Sequence, residues 1–342
     1  RRTNGDDAMS DVTLTTPGRV RPRRLRRNQV IRDLVAETYI APSQFIVPHF
    51  VLPAEDTEIP IPSMPGIAEL GLGNLVKQVG SDLELGIRSV LLFGHPDDTA
   101  HKTPDGKAAW AADGAVQKAT NRLKSEFGDD LIVMTDVCLC AYTDHGHCGI
   151  VQDGYVVNDA SLAPLVQTAL SHAEAGADVV APSDMMDGRI AAIRNGLDAA
   201  GYENVILLAY AVKYASGYYG PFRDAADSAP SQGDRQSYQM DSRNALEALR
   251  EAELDEQEGA DMLMVKPALA YLDVIQAVRS TSTLPLSAYN VSGEYAAVKA
   301  AAANGWLDEA RVVRENLMAI RRAGADQIIT YHARDAIKGG WL

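Results

Sequence analysis

The sequence predicts an α/β protein built as a (β/α)8, or TIM, barrel, because eight strand-like and helix-like segments alternate along it. The strand-like segments are short apolar runs at residues 45–50, 89–94, 131–139, 177–182, 205–212, 262–265, 285–289 and 327–331. Several runs lack polar alternation, as expected for parallel strands that are covered on both faces. Eight such units fit a closed barrel, although a doubly wound open sheet has the same alternation.

Amphipathic stretches between the runs predict the helices, most clearly at residues 161–175, 242–259 and 308–324. A Gly-Ala-Asp step precedes three of the runs, with its glycine at Gly176, Gly259 and Gly324. Glycine at this place fits a helix C-cap followed by a tight turn into a strand. No Gly-x-Gly-x-x-Gly or phosphate-loop pattern opens a helix, which weakens a nucleotide-binding interpretation.

Residues 1–43 are predicted to form an extended N-terminal arm, and residues 44–342 to form the barrel. Six arginines lie within residues 19–27, although the whole chain carries a net charge of −14. Such an arm can bind phosphates of nucleic acid or membranes, but on so acidic a protein we favour contact with a neighbouring subunit. Residues 1–8 precede Met9, and a tag is one explanation of them.

The composition narrows the class of partner and the compartment. The acidic balance argues against nucleic acid as a partner, and no apolar stretch reaches the 18 residues of a membrane span. No secretory apolar segment stands near the start, so we expect a cytoplasmic protein in a reducing environment. Disulfides are not expected in that environment.

All three cysteines fall within eleven residues, which indicates a metal site. Cys138 and Cys140 follow the run 131–134, and Cys148 returns after a Gly-containing loop. If residues 131–139 form a strand, Asp136, Cys138 and Cys140 project to one face because side chains alternate. Three converging thiolates are soft ligands, for which zinc is the leading candidate.

The competing interpretations of this cluster are a disulfide and three buried small residues, and a metal site could itself be open or closed. Cys138 and Cys140 are poor disulfide partners, because i and i+2 on a strand have parallel Cβ vectors at a separation near the bridgeable limit. Three protein thiolates leave a fourth zinc position for water, as in catalytic sites. A ligand from His145 or His147 would instead close a structural site, and the sequence does not choose between the two.

The barrel predicts where catalytic groups lie, since they gather at the C-terminal ends of strands. The polar residues that follow or end successive strands are Asp136 to Cys148, Ser183 and Asp184, Lys213, Lys266, Tyr289 and Ser292, and Tyr331.

Two of these groups, Lys213 and Lys266, are lysines embedded in apolar sequence. Burial and a second nearby lysine both lower the pKa of a lysine amine, which then becomes a nucleophile able to form a Schiff base. The alternative is that each lysine snorkels to solvent or pairs with a carboxylate such as Asp136 or Asp184. Two lysines at equivalent places on adjacent strands favour the Schiff-base interpretation.

Residues 215–239 follow Lys213 and are rich in Gly, Pro, Ser and Asp. A loop of this length in a compact domain is usually a functional lid or disordered. Arg223 and Arg235 would let such a lid bind a carboxylate by bidentate hydrogen bonds. The alternative is a solvated loop whose arginines pair with its own aspartates.

Six motifs in order resemble one family. They are Asp136-Val-Cys-Leu-Cys with His145-Gly-His-Cys-Gly, Val212-Lys-Tyr-Ala-Ser, Tyr219-Gly-Pro-Phe-Arg-Asp-Ala, Gly233-Asp-Arg, Met264-Val-Lys-Pro-Ala and Val291-Ser-Gly-Glu-Tyr. Together they resemble porphobilinogen synthase, also called 5-aminolevulinate dehydratase, from about residue 21 to the C-terminus. The resemblance implies condensation of two 5-aminolevulinate molecules, with loss of two waters, to the pyrrole porphobilinogen in tetrapyrrole (haem) biosynthesis.

The resemblance also implies residue roles. Lys266 resembles the Schiff-base lysine of the propionate-side substrate and Lys213 that of the acetate-side substrate. Independently of the resemblance, the place of Asp136 beside the cysteines suits it to support proton transfer or to steady a nearby lysine. Cys138, Cys140 and Cys148 match the zinc-binding version of the family motif. The implied substrate-binding residues are Arg223, Arg235 and Gln239 for one carboxylate, Ser292 and Tyr331 for the other, and Ser183, Tyr289 and Phe222 beside them. Glu251 sits where some members bind an allosteric magnesium, and the family is typically a homo-octamer built through N-terminal arms.

Two alternatives from other classes remain at this stage. A class I aldolase on the same barrel would need a Schiff-base lysine but no metal, so the cysteine cluster speaks against it. A non-enzymatic zinc-binding assembly protein would leave the paired strand-end lysines and the arginine-bearing lid unexplained.

Overall fold

The computed structural model describes residues 20–96, 98–231 and 233–342. Contacts divide the chain into two units, residues up to Tyr39 and Ile40–Leu342, which are described separately. Arg19 and residues 1–8, including their interpretation as a tag, lie outside the described residues.

The described part of the first unit contains two short helices, a 3-10 helix at Pro22–Arg26 and α1 at Gln29–Leu34. The side chain of Asn28 caps α1 by accepting a hydrogen bond from the Ile31 amide at 3.0 Å. Neither helix contains a buried residue, and the apolar side chains of Val30 and Leu34 are exposed.

The second unit contains the remaining elements of the described chain. Its strands are β1 Phe45–Leu52, β2 Glu58–Pro60, β3 Ala68–Gly71, β4 Ser89–Gly94, β5 Ile132–Val137, β6 Ile150–Gln152, β7 Tyr155–Val157, β8 Val179–Pro182, β9 Ile206–Lys213, β10 Met262–Lys266, β11 Leu286–Asn290 and β12 Gln327–Thr330. Its α-helices are α2 Leu72–Glu84, α3 Ala115–Phe127, α4 Asn158–Glu174, α5 Arg189–Ala199, α6 Gly220–Ala225, α7 Leu246–Gln257, α8 Leu272–Thr281, α9 Ser292–Ala303, α10 Glu309–Ala323 and α11 Ala333–Lys338. Single 3-10 turns lie at Pro42–Gln44, Thr99–His101, Lys107–Trp110, Gly128–Asp130, Gly217–Tyr219 and Leu269–Tyr271.

Eight parallel strands close into a barrel, in the order β1, β4, β5, β8, β9, β10, β11 and β12. The last strand pairs with the first, with Phe45 opposite Ile328 and Ile46 opposite Ile329. The predicted (β/α)8 barrel is therefore confirmed, and the open sheet is wrong. Each of the eight predicted apolar runs overlaps one barrel strand.

Two small strand pairs were not predicted. β2 and β3 pair antiparallel, and β3 also joins the edge of β1, while β6 and β7 form a separate hairpin. These strands are three or four residues long and mostly not buried. Segments so short carry no hydrophobic periodicity that a sequence can show.

The three Gly-Ala-Asp steps end helices and begin strands as predicted, since Gly176, Gly259 and Gly324 all have positive φ angles of 99°, 102° and 124°. The aspartate of each step then accepts a hydrogen bond from a backbone amide of the preceding barrel strand. The pairs are Asp178 with Val133 at 2.8 Å, Asp261 with Leu207 at 2.8 Å and Asp326 with Leu286 at 3.0 Å. These bonds fix the start of one strand against its neighbour.

Side chains fill the barrel interior and separate it from the layer between strands and helices. The interior cluster includes Ile46, Leu91, Met134, Leu208, Met264 and Ile329. Because the interior is packed, a reaction site lies at a mouth of the barrel and not along its axis. No helix in the described ranges is both long enough and apolar enough to cross a membrane.

Candidate active site at the barrel mouth

Two lysines occupy equivalent positions at the C-terminal mouth of the barrel. Lys213 is the last residue of β9 and Lys266 the last residue of β10, and the two are register partners. Each side chain is only 5% exposed. Two amines are thus held side by side in a nearly water-free environment.

Burial and the positive charge of Lys213 together lower the pKa of Lys266 to about 7. Asp136 acts in the opposite direction, because a nearby carboxylate favours the charged amine. An amine with this pKa is neutral in about half of the molecules at pH 7. Lys266 can therefore attack a ketone without a separate base to deprotonate it.

Aromatic rings surround the Lys266 amine. Its Nζ lies 4.4 Å from the ring centre of Tyr289, 5.0 Å from that of Phe222 and 5.2 Å from that of Tyr219. Rings at these distances exclude water and attract a cation through their faces. These rings would therefore shield a Schiff base at this amine from hydrolysis and accommodate its positive charge.

The Lys213 amine donates a hydrogen bond to the backbone carbonyl of Ser183, which follows β8. Asp136, near the end of β5, faces both lysines and receives a hydrogen bond from the Ser183 side chain. Burial raises the pKa of Asp136 to about 6, against the opposing charge of Lys213. The carboxyl group can consequently take up and release a proton near neutral pH.

The three cysteines converge, but not by strand alternation as the sequence suggested. β5 ends at Val137, so Cys138 and Cys140 lie in the loop that follows it. Their sulfur atoms are 3.4 Å apart, and all three sulfurs, including that of Cys148, lie within 4.8 Å of one another. Hydrogen bonds from the other two thiols hold the pKa of the Cys148 thiol well below its usual range. This set fits a metal ion, because the three sulfur atoms are buried and adjacent, and the Cys148 thiol loses its proton readily.

The two histidines of the same loop contact other groups. The Nδ1 of His145 accepts the His147 backbone N–H at 3.1 Å, and its Nε2 faces the Pro104 carbonyl at 3.3 Å. The Nδ1 of His147 lies 3.1 Å from the Tyr238 hydroxyl. Among the described residues, the metal-binding group comprises only the three cysteines. The three-thiolate arrangement is therefore favoured over closure by a histidine.

The lid segment comprises residues 215–239, all of which the structure describes except Gln232. It brings polar groups that lack hydrogen-bond partners to the mouth of the barrel. Arg235 and Gln239 are buried and Arg223 is partly buried. In the described structure, the Nε atoms of both arginines and the whole amide of Gln239 have no hydrogen-bond partner. Arg235 is anchored by its Nη2, which donates to the carbonyls of Gly146 at 3.0 Å and Ser228 at 2.5 Å. Such unpaired buried donors suit a carboxylate ligand.

The second predicted carboxylate group is arranged differently. The hydroxyl of Ser292, the first residue of α9, accepts the Phe222 amide at 3.0 Å and faces the Tyr218 carbonyl at 3.4 Å. Ser292 thus fastens the lid to the barrel. Tyr331 follows β12 and bonds the hydroxyl of Tyr289 at 3.0 Å.

With the lid in this position the site is closed. The cavity that reaches Lys213, Lys266 and Asp136 has a volume of about 20 Å³. Ligand sites for small molecules usually measure about 300–1,000 Å³. Substrate entry therefore requires the lid to move, and closure excludes water from the amines.

Glu251 lies on α7 and is half-buried. Burial and the neighbouring charges of Asp255, Asp187 and Glu247 together raise its pKa to about 7, against the opposing charge of Arg189. The structure therefore places Glu251 in an acidic group, beside a cavity that Gln239 of the lid also lines.

Comparisons with known proteins agree with this site. The sequence model of the family described as delta-aminolevulinic acid dehydratase matches residues 19–339. This chain belongs to the delta-aminolevulinic acid dehydratase family. It is therefore a porphobilinogen synthase by family, a hydro-lyase. The class I aldolase and the non-enzymatic assembly protein are set aside.

Individual relatives span almost the whole chain. The delta-aminolevulinic acid dehydratase of Bacillus subtilis (strain 168) is 52% identical over 322 residues, which cover 94% of this chain and 98% of that protein. The enzyme of Staphylococcus epidermidis is also 52% identical, over 92% of this chain and 97% of its own length. A crystal structure of the Toxoplasma gondii ME49 enzyme, in complex with the reaction product porphobilinogen, superimposes with a TM-score of 0.92 at 48% identity. That match covers 94% of this chain and 92% of the other.

Sequence reasoning did not assign a role to Tyr210, which the structure places beside the lysines, or to Arg189, which bonds the Tyr210 carbonyl. The Tyr210 ring lies 5.5 Å from the Nζ of Lys213 and 5.3 Å from that of Lys266. The one signal was a tyrosine inside the apolar run 205–212. Nothing in the sequence around Arg189 indicates that its guanidinium is buried.

Proposed function

We propose that this chain condenses two 5-aminolevulinate molecules through Schiff bases on Lys266 and Lys213, beside a zinc ion held by Cys138, Cys140 and Cys148. The observation that carries the proposal is the register pairing of two buried amines next to three converging thiols. One carbon–carbon and one carbon–nitrogen bond form, and the two ketone oxygens leave as two waters. The order of the two bonds stays open.

In this proposal the protein groups bind, orient and move protons. Lys266 attacks the ketone of the propionate-side substrate, and Lys213 that of the acetate-side substrate. Protonated Schiff bases withdraw electrons from the neighbouring carbons, so that a proton there becomes acidic. Asp136 is positioned to accept such a proton, because its raised pKa lies near neutrality.

The carboxylates of the substrates would be held by two groups of residues. We assign one to Arg223, Arg235 and Gln239, whose unpaired polar atoms support this role. We assign the other to Ser292 and Tyr331, with Ser183, Tyr289 and Phe222 lining the site. A zinc ion, when bound, would supply Lewis-acid polarisation of the second substrate.

Three further assignments belong to the same proposal. Magnesium at Glu251 is supported by the acidic neighbours, since hard cations prefer carboxylate oxygens. A homo-octamer joined through N-terminal arms is supported by the exposed apolar residues Val30 and Leu34. A cytoplasmic location is supported by three unpaired thiols, which a reducing compartment preserves.

The test is pyrrole formation from 5-aminolevulinate by the purified protein with zinc present. Reduction by borohydride in the presence of substrate, followed by peptide mass spectrometry, locates the Schiff bases. Product together with label on Lys266 and Lys213 supports the proposal. A folded, zinc-loaded protein that makes no pyrrole would overturn it.

A further inference from the structure

Strand β9 contains a β-bulge immediately before Lys213. Ala209 pairs with Leu263 of β10, but the next pair joins Val212 with Val265, so β9 has one more residue than β10 in this interval. Bulges of this kind re-aim side chains and are common beside active sites.

The bulge decides which way Lys213 points. Tyr210 packs in the barrel interior, whereas Ala211 and Val212 both pack in the outer layer under the helices. Regular alternation from Tyr210 would send Val212 inward and Lys213 outward. The extra residue reverses this order, so the Lys213 amine reaches Ser183 at the mouth.

A buried arginine holds the backbone at this bulge. Arg189, the first residue of α5, is 2% exposed, and its Nη2 donates to the Tyr210 carbonyl at 3.2 Å. Its Nη1 donates to Asp255 of α7 at 2.5 Å, and its Nε lies 3.8 Å from an oxygen of Asp184. Asp184 adjoins Ser183, whose carbonyl accepts the Lys213 amine. One guanidinium therefore bonds the backbone of β9 at the bulge and lies beside Asp184, the residue next to Ser183.

We propose that Arg189 is a positioning residue that maintains the β9 bulge and thereby directs Lys213 into the active site. The inference takes the chemical role of Lys213 from the proposed function, whereas the position of Lys213 comes from the structure alone. A bulge removes a residue from the regular ladder, and the backbone groups left there need other partners. Arginine suits this task because its rigid fork can serve several acceptors at once, whereas lysine offers a single point charge. Asp255 is needed to keep the guanidinium in place.

The experiment compares Arg189→Met and Arg189→Lys with Arg334→Met. Arg334 is a matched control, since its guanidinium also bonds a buried carboxylate, Asp82, at 2.6 and 2.8 Å, but it does not contact β9. Each protein is reduced with borohydride in the presence of 5-aminolevulinate, and the label on Lys213 is divided by the label on Lys266. A loss of stability alone would lower both labels and leave the ratio unchanged.

We expect this ratio to fall at least tenfold in both Arg189 variants and to stay within twofold of wild type in Arg334→Met. If Arg189→Met does not fold, Arg189→Lys alone provides the test, because a lysine at this position retains the ion pair with Asp255. A wild-type ratio in a folded Arg189 variant would overturn the inference.

A crystal structure of Arg189→Lys tests the position of Lys213 independently of its chemistry. We expect loss of the bulge or of the Lys213–Ser183 contact, and retention of both would overturn the inference. If the wild-type protein takes no label on Lys213, the proposed chemical role of Lys213 fails, and the crystal structure still decides the role of Arg189.

Discussion

Lys213 and Lys266 are register partners at the ends of adjacent parallel strands, and both amines lie over the ring of Tyr210, at 5.5 and 5.3 Å. Burial is the main cause of the lowered pKa of Lys266, and the positive charge of Lys213 adds to it. The two together make the Lys266 amine nucleophilic at neutral pH. The same closeness would bring two substrates, each bound to one amine, within bonding reach.

Trapping at Lys266 should depend on pH with a midpoint near 7. Because its pKa is lowered to about 7, the amine is cationic below that pH and nucleophilic above it. Borohydride labelling of Lys266 at fixed substrate should rise through pH 7 and then level off. In Lys213→Met the neighbouring cation is lost, so the midpoint should move to higher pH.

Two comparisons make this test specific. Lys299→Met should leave the midpoint unchanged, because Lys299 pairs with Asp335 and Glu309 instead. Lys266→Ala should abolish turnover, and substantial residual activity would refute the assignment of Lys266 as the essential nucleophile.

Replacing Cys138, Cys140 and Cys148 together with serine should remove bound zinc, measured by elemental analysis of the purified protein. Turnover should fall roughly 100-fold or more, since a Lewis acid contributes several kcal/mol to such reactions. Labelling of Lys266 should persist, because that amine lies outside the cluster. His145→Ala should retain zinc, as its ring nitrogens contact the His147 amide and the Pro104 carbonyl. Full turnover by a metal-free serine variant would disprove a catalytic role for zinc.

The barrel was predictable because its eight strands are covered on both faces and so appear as apolar runs. The run 262–265 matches β10 to within one residue, and Lys266 ends that strand as predicted. Each strand shows its own apolar run in the sequence, whichever strands lie beside it in the barrel. The polar mouth follows from the fold, since the C-terminal ends of parallel barrel strands meet on one side.

The features that were missed depend on contacts between distant residues. The inward turn of Lys213 requires a bulge, and a single sequence read with period two places Tyr210 and Lys213 on opposite faces. Cys138 and Cys140 converge through the loop after β5, not through strand alternation. That loop depends on Gly146, whose φ of 72° and close approach to the Ala229 carbonyl leave no space for a side chain.

Arg235→Met and Gln239→Leu should raise the KM for 5-aminolevulinate by about 10- to 150-fold each. A hydrogen bond to a charged group contributes about 1.5–3 kcal/mol, and each 1.4 kcal/mol is tenfold. Steady-state kinetics measures the change. Gln236→Ala is the matched control in the same lid, because Gln236 is exposed and bonds the carboxylate of Asp234, which is also exposed. An unchanged KM in both variants would remove these residues from the carboxylate site.

Lys102→Met should loosen the lid. The Lys102 amine donates to the carbonyl of Asp227 at 2.5 Å and to its carboxylate at 2.7 Å, which joins the loop after β4 to the lid. Asp227 is exposed, so the ion pair contributes about 0.2–1 kcal/mol. We expect amide hydrogen exchange in residues 215–231 to accelerate about 1.4- to fivefold, since each 1.4 kcal/mol is tenfold. Lys107→Met, in the same loop, should leave the exchange rates unchanged. Equal acceleration in both variants would show that the Lys102–Asp227 contact does not specifically hold the lid.

Gly293→Ala should prevent the lid from docking on α9. A Cβ at Gly293 would stand 2.4 Å from the carbonyl oxygen and 2.8 Å from the Cα of Tyr218, which are backbone atoms of the lid. The lid must therefore shift, and the contact between Ser292 and the Phe222 amide is lost with it. Overpacking of this kind costs about 1–3 kcal/mol, so kcat/KM should fall about 5- to 150-fold.

Gly220→Ala provides the control for this substitution, since a Cβ at Gly220 meets no atom within 4 Å and its φ of −49° suits alanine. It should retain wild-type kcat/KM and wild-type exchange in residues 215–231. If Gly293→Ala also retains both, the contact of the lid with α9 is not required for closure. If its kcat/KM falls while exchange in the lid stays slow, the loss arises within the Ser292 site itself and not from lid opening.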